Sequence, residues 1–180
     1  MQLTNRMKVH MLRAIRRQEK GFTLIEILVG LAITGALVGV VAMAVPLMNS
    51  SVKRGNNHTY VATQLQNATH WIQVDAKMAQ EVTPDGGGSG FPLTLTWVDW
   101  DNTEYQSVYD VSGGDFSRAH TVTVVGNDPV TTTRSLAQSI ASGTCSYADG
   151  MLTIQLTSEE GSGREKASQV RTIEVKPRTQ

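Results

Sequence analysis

The chain has 180 residues, with 16 basic and 16 acidic side chains and a single cysteine, Cys145. Balanced charge provides no overall basic surface of the kind that attracts nucleic acid through its phosphates. One thiol cannot form an internal disulfide, so packing must supply the stability of the fold.

A basic segment followed by a long apolar segment opens the chain. Residues 1–21 carry six basic side chains against one acid, Glu19, and after Glu26 no charged residue appears until Lys53. Residues 27–48 are mainly Ile, Leu, Val, Ala, Met and Gly, and this length crosses a hydrocarbon core of roughly 30 Å. The basic flank predicts a cytoplasmic N-terminus and an exported C-terminal part.

Two alternatives fit the apolar segment less well. A core helix of a soluble protein rarely runs this long without a polar face. A secretory signal peptide has a shorter apolar region, followed by a cleavage site among small residues. The segment therefore predicts a membrane anchor that the protein retains.

The seven residues KGFTLIE, from Lys20 to Glu26, resemble the processing site of type IV prepilins and of the pseudopilins of type II secretion. The resemblance extends to about Val45. It implies that prepilin peptidase, a membrane aspartyl enzyme, cuts between Gly21 and Phe22 and methylates the new amine of Phe22. A start at Met7 or Met11 instead of Met1 would shorten the leader.

Glu26 is a carboxylate at the edge of the apolar segment, where burial in lipid is costly unless the charge has a partner. Cleavage would create that partner, because the amine of Phe22 is cationic and one helical turn away. The pair can close within one chain or between neighbouring chains, and the resemblance implies the second. The alternative is a tolerated interfacial acid without a partner.

Two features inside the apolar segment modify the predicted helix. Gly35 and Gly39 form a G-x-x-x-G pattern that allows close helix packing in lipid, although this pattern is common by chance. Pro46 removes a helical hydrogen bond, so a kink is expected there.

Residues 49–83 predict an amphipathic continuation of the helix. Apolar residues recur at intervals of three, four or seven: Val61, Leu65, Ala68, Ile72, Ala79 and Val82. This periodicity indicates one buried stripe. Asp75 and five other residues form the predicted polar positions: His58, Gln64, Gln66, Gln73 and Lys77.

After a Gly-rich breaker, the chain predicts an antiparallel sheet of five to seven strands packed on the helix, an α+β fold. The predicted strands are 93–98, 105–111, 120–125, 130–136, 151–156 and 170–175. The predicted division of the chain is a cleaved leader at 1–21, a transmembrane and assembly half of the helix at 22–48, an amphipathic half at 49–83, a linker at 84–90 and a β head at 91–180.

Catalytic and metal-binding signals are weak. The chain has four histidines: His10, His58, His70 and His120. His58 and His70 lie about 120° apart around the predicted helix, so they share no ligand-forming face. The D-x-D-N run at Asp99 and Asp101 offers oxygen ligands, but it lacks the rest of a calcium loop and favours a hairpin turn. No nucleophile motif is present. The prediction is therefore no enzyme, no metal and no cofactor, with Trp71, Trp97 and Trp100 in the core or on a sheet face.

The resemblance predicts a structural subunit of a type IV pilus-like filament or a type II secretion pseudopilus. A minor pilin or pseudopilin is favoured by the strand-rich head and the missing disulfide. The alternative is a DNA-uptake or adhesive tip pilin, but residues 22–180 carry 10 basic and 15 acidic residues, a balance of −5, which makes nucleic acid an unpromising ligand. The implied partners are prepilin peptidase, other pilin or pseudopilin subunits, the inner-membrane assembly platform and membrane lipid.

Overall fold

The computed structural model describes residues 21–85 and 90–178. The predicted leader up to residue 20, with its alternative starts and His10, lies outside the described residues, as do residues 86–89 of the predicted linker. The chain divides into two units, with the boundary between Leu47 and Met48.

The first unit contains the N-terminal part of helix α1 (Leu24–Met78). Its side chains are exposed throughout. The most apolar stretch of 18 residues in the helix has a mean hydropathy of 2.5, and none of these residues is buried among the described residues. Among the described residues, α1 is the one helix long and apolar enough to cross a membrane. The predicted apolar helix is confirmed.

The second unit places residues 48–78 of α1 against two antiparallel sheets. The buried face of this helical part includes four predicted stripe residues, Val61, Leu65, Ala68 and Ile72. Asp75 is also buried, with 4% of its surface exposed. Its prediction as a polar surface position is therefore wrong.

Within residues 21–85 and 90–178, the two sheets contain eight strands in simple sequential order. The five-stranded sheet consists of β1 (Glu81–Pro84), β2 (Leu93–Val98), β3 (Glu104–Ser112), β4 (Asp115–Thr123) and β5 (Val130–Ala137). The three-stranded sheet consists of β6 (Ile140–Ala148), β7 (Met151–Glu160) and β8 (Ala167–Val175). Every neighbouring pair is antiparallel.

Strand alternation supplies the apolar faces that pack on the helix. In β2, Leu93, Leu95 and Trp97 are buried, and their neighbours in the strand are more exposed. In β7, Leu152, Ile154 and Leu156 are buried in the same alternating way. Period-two patterns of this kind place every second side chain in the core.

The α+β fold class is confirmed, with a long helix packed on antiparallel strands. The prediction of one sheet with five to seven strands is wrong, because the part of the chain that the structure describes forms eight strands in two sheets. The helix also ends at Met78 instead of near residue 83. There the chain joins the five-stranded sheet: the backbone N–H of Gln80 donates to the carbonyl of Thr96 (2.9 Å), and β1 follows directly.

Strand β6 was absent from the sequence prediction because its composition is poor for a strand. Gly143 lies in its middle, and glycine weakens strand propensity. A Cβ at this position would lie 2.9 Å from Val111 Cγ2 and 3.0 Å from atoms of both Leu156 and Phe91. Neighbouring side chains therefore occupy the space that a β-former would need.

Candidate processing and assembly site

The residues around the predicted cleavage point form the start of α1. Gly21 and Phe22 precede the helix, and Phe22 is 80% exposed. The backbone N–H groups of Glu26 and Ile27 donate to the Thr23 carbonyl at 3.0 and 3.2 Å, which closes the first turn. The predicted scissile bond therefore lies in an exposed segment just before the helix.

Thr23 and Glu26 form a reciprocal cap at this end of the helix. The Glu26 N–H donates to Thr23 Oγ1 (3.3 Å), and the Thr23 N–H donates to Glu26 Oε2 (3.2 Å). Thr23 Oγ1 also lies 3.2 Å from Glu26 Oε2, where the hydroxyl is the donor. This is the capping-box arrangement, which satisfies two backbone donors that a helix start leaves unpaired.

The cap gives Glu26 a partner that the sequence argument overlooked. Its carboxylate is held beside the backbone N–H of Thr23, the residue that follows Phe22. Thr23 is thus a positioning residue for the acid. The T-x-x-E spacing before an apolar run is a recognised helix-start signal and was sufficient to predict this pair.

The remaining predicted site residues lie along the exposed helix and do not contact this cap. A Cβ on Gly35 or Gly39 would meet no atom of the described residues within 4 Å, so this part of the chain does not require glycine at either position. Pro46 lies inside α1. Roles in helix packing for the two glycines and in a kink for Pro46 remain predictions.

A second polar cluster is buried between α1 and the five-stranded sheet. Asp75 accepts hydrogen bonds from the Tyr109 hydroxyl (2.6 Å), Arg118 Nε (2.7 Å) and Arg118 Nη2 (3.0 Å). Burial, reinforced by the Asp75 carboxylate, raises the pKa of Tyr109 far above its usual value, so the phenol remains a donor. The guanidinium of Arg118 also lies 5.3 Å from the centre of the Trp71 ring, a cation–π distance.

His120 extends this cluster. Its Nδ1 lies 3.1 Å from Arg118 Nη2 and 2.9 Å from Ser107 Oγ. A guanidinium can only donate, so Nδ1 accepts and the neutral imidazole carries its proton on Nε2. Burial and then the Arg118 cation lower the pKa of His120, against a smaller opposing effect of Asp75. Ser107 is fully buried, so its hydroxyl acts here as a structural donor.

We expect the second unit to lose stability as the pH falls through about 6.5. The unfolded chain protonates His120 near its ordinary pKa of about 6.5, whereas the folded chain does so at lower pH. Between these two pKa values the unfolded state binds more protons than the folded state. Stability therefore decreases as the pH falls, and it levels off below the pKa that His120 has in the folded chain. His120→Gln keeps a side-chain acceptor, removes the titration and should flatten this dependence.

The measurement is denaturant unfolding of the full chain in detergent at several pH values between 5 and 8, for wild type and His120→Gln. Every other side chain is common to the two proteins, so the difference between the two curves isolates His120. Parallel curves would contradict the prediction.

The hairpin turn predicted at Asp99 and Asp101 is confirmed, because the Asn102 N–H donates to the Asp99 carbonyl at 3.1 Å. No group of three or more metal-ligating side chains suited to a metal ion occurs in residues 21–85 and 90–178. Trp97 is buried, as predicted. Trp100 is 91% exposed, so its assignment to the core or a packed sheet face is wrong.

Comparison with known proteins places a recognised motif on the N-terminal part of the chain. Residues 16–42 match the family model described as the prokaryotic N-terminal methylation motif. No curated protein and no solved structure matches the chain. The motif implies processing by prepilin peptidase and assembly with other pilin subunits, and it suggests a structural subunit.

The match covers both residues of the predicted cleavage point, the Thr23–Glu26 cap and much of the exposed apolar helix. Motif and helix together fit a single-pass anchor in the inner membrane. On residues 16–42 the chain carries the N-terminal methylation signature of type IV pilins and pseudopilins.

Proposed function

We propose that this chain is a structural subunit, a minor pilin or pseudopilin, of a type IV pilus-like filament or a type II secretion pseudopilus. The observation that carries the proposal is the methylation motif at residues 16–42, which overlaps an apolar helix segment that none of the described residues buries. A soluble protein would leave this apolar surface in water at a large cost. The strand-rich head and the absence of a disulfide favour the minor classes.

Processing is the first step of the proposed role. Prepilin peptidase cuts the Gly21–Phe22 bond on the cytoplasmic side and methylates the amine of Phe22. The exposure of this segment before the first helical turn supports access by a protease. The basic residues before the motif keep this end in the cytoplasm while the head is exported.

Assembly is the second step, and Glu26 is its central residue. After cleavage, the carboxylate of one subunit neutralises the amine of Phe22 on a neighbouring subunit. The Thr23 cap supports this role, because it holds the carboxylate at the N-terminal end of the helix before a neighbour arrives. Lipid surrounds the apolar N-terminal part of α1, up to Leu47, until the subunit joins a filament, where Gly35 and Gly39 form close helix contacts.

Mass spectrometry of the membrane-extracted protein tests the processing step. The expected N-terminus is Phe22, with the added mass of a methyl group. Gly21→Leu should block the cut, and the described part of the chain has room for the larger side chain, since, apart from Gly21 and its neighbours in the chain, none of residues 21–85 and 90–178 lies within 4 Å of a Cβ there. Loss of cleavage would therefore report on the peptidase and not on misfolding.

Gly30→Leu is the matched control, because a Cβ at Gly30 also meets no described residue within 4 Å. This variant should be cut normally. Two outcomes oppose the proposal: a mature wild-type chain that retains residues 11–21, or normal cleavage of Gly21→Leu.

A further inference from the structure

One end of the five-stranded sheet carries an exposed tryptophan. We call it the apical end; it consists of residues 98–104, around the β2–β3 turn, and residues 123–130, around the β4–β5 loop. The sheet register brings these segments together, because Glu104 pairs with Thr123 across β3 and β4. Trp100 is 91% exposed, a larger fraction than any other large hydrophobic side chain of the described residues.

Exposed valines accompany Trp100 at the apical end. The exposed fractions are 43% for Val98 and Val124, 66% for Val130 and 73% for Val125. Several apolar side chains left in water at one place mark a protein contact, whereas scattered single ones do not. Tryptophan at the centre of such a group is a frequent source of binding energy.

The turn that carries Trp100 is held in one conformation by side-chain and backbone hydrogen bonds. The Trp100 N–H donates to Asp99 Oδ1 (2.8 Å), and the Thr103 N–H donates to Asp101 Oδ1 (2.9 Å). The Asp99 N–H also donates to the Thr103 carbonyl (3.0 Å). An anchor that is already ordered loses little entropy when a partner binds.

The apical end is acidic. It contains four carboxylates and no Lys or Arg: Asp99, Asp101, Glu104 and Asp128. All four residues are exposed. Its partner surface should therefore be cationic.

The opposite end of the same unit is cationic. We call it the basal end; it consists of helix residues 53–57 and the 161–166 turn, which Asn57 joins by donating from Nδ2 to the Glu165 carbonyl (2.8 Å). It carries four basic residues and one acid: Lys53, Arg54, Arg164, Lys166 and Glu165. About 25 helical residues, or roughly 37 Å, separate it from the apical end, where Gln80 contacts Val98.

Two of the basal cations are already paired and two are not. Lys53 lies 3.6 Å from Glu165, and Lys166 lies 2.7 Å from Glu159 of β7. Arg54 and Arg164 are exposed and form no ion pair among the described residues. Arginine suits an aromatic partner, because its planar guanidinium stacks on an indole ring.

We infer that the apical end of one copy docks on the basal end of a second copy, with Trp100 against Arg54 and Arg164. The charges of the two ends support this pairing, because the four carboxylates of the apical end would face the net positive surface of the basal end. Two different surfaces make this a head-to-tail contact, which repeats along an axis and does not close into a dimer. The inference rests on the proposed role as a filament subunit.

Disulfide crosslinking of full-length chains in membranes tests the contact. Two differently tagged copies are co-expressed, one with Asn127→Cys at the apical end and one with Ser162→Cys at the basal end, and then oxidised. Both positions are exposed and uncharged. The expected product joins the two tags. The matched control pairs Asn127→Cys with Thr133→Cys on exposed strand β5, and its yield should be about tenfold lower.

Wild-type copies should remain unlinked, because the Cys145 thiol is buried and donates to the Gly90 carbonyl. Adding Trp100→Ala should lower the specific yield about tenfold. Trp100 is exposed, so its replacement removes no packing contact in the core. Arg164→Glu in the copy with Ser162→Cys should also lower the specific yield. Asp128→Arg in the copy with Asn127→Cys should then restore the yield.

Equal yields for the specific and control pairs would overturn the contact, as would a specific yield that Trp100→Ala does not change. Absence of the link in subunits that are cut before Phe22 and enter filaments would overturn the contact and leave the filament role standing. A link that forms although the chain is never cut there would support the contact and overturn the filament role.

Discussion

Asp75→Ala is expected to lower the free energy of unfolding of the second unit by about 3–5 kcal/mol. The carboxylate is buried and accepts three hydrogen bonds, from the Tyr109 hydroxyl and from two nitrogens of Arg118. Its removal leaves a guanidinium whose side chain is only 13% exposed without its counter-ion. The Tyr109 hydroxyl also loses its acceptor, which adds the cost of a buried unsatisfied donor.

Unfolding of the full chain in detergent with guanidinium chloride as the denaturant, followed by tryptophan fluorescence, measures this loss of stability. Trp71 is a suitable reporter because the Arg118 guanidinium lies over its ring. Asp115→Ala is the matched control; this exposed acid begins β4, and its change should stay within about 0.5 kcal/mol. Equal stabilities for the two variants would contradict the prediction.

The double variant Asp75→Ala/Arg118→Ala separates charge from packing. We expect it to lose less stability than the sum of the two single variants, because it leaves no unpaired buried charge. Strict additivity would mean that the two side chains contribute independently, and the ion pair would then have no coupling energy.

The buried acid shows where sequence reasoning reaches its limit. Asp75 lies three residues after Ile72 and four before Ala79, so helical spacing alone places it on the buried face. A charged residue type argued for the surface instead. Its partners are 34 and 43 residues away, on strands whose register no local pattern determines. Only the three-dimensional structure brings the three side chains together.

Features that depend on neighbours in sequence were the predictable ones. The helix start, the apolar segment and strands such as β2 and β7 each follow from a local period or motif. The division into two sheets depends on long-range pairing, and so does β6, which pairs with β7. The tight fit of Gly143 beside Phe91, Val111 and Leu156 also arises only in the folded chain. The exposure of Trp100 was not predictable from local sequence either, because tryptophan as a residue type favours burial.

Glu26→Gln is expected to leave membrane insertion and cleavage intact but to impair incorporation into filaments. In the proposed assembly step, the substitution removes the charge that would neutralise the amine of Phe22 on a neighbouring subunit. A charge-assisted hydrogen bond in a poorly solvated site contributes about 1–3 kcal/mol, which corresponds to about a five- to 150-fold loss per contact. Repetition along a polymer makes the defect large.

The Thr23–Glu26 cap makes this substitution a clean test. Gln at the third helical position completes a capping box as Glu does, because its carbonyl oxygen accepts from the Thr23 N–H. Glu26→Gln therefore removes the charge and retains the cap. Thr23→Val does the reverse: it removes the hydroxyl that caps the Glu26 N–H and keeps the carboxylate. Loss of such a cap costs about 1 kcal/mol.

The two variants give opposite results under the two possible roles of Glu26. If the acid neutralises a neighbouring amine, Glu26→Gln is severely excluded from filaments and Thr23→Val is only mildly affected. If the acid serves only the cap, Thr23→Val is the more impaired, and Glu26→Gln assembles as well as wild type or better, because a neutral side chain is cheaper to bury in lipid. The measurement is the ratio of variant to wild-type subunit in sheared filaments, at matched membrane levels. A ratio near one for Glu26→Gln would rule out the pairing mechanism and leave the methylation motif of residues 16–42 in place.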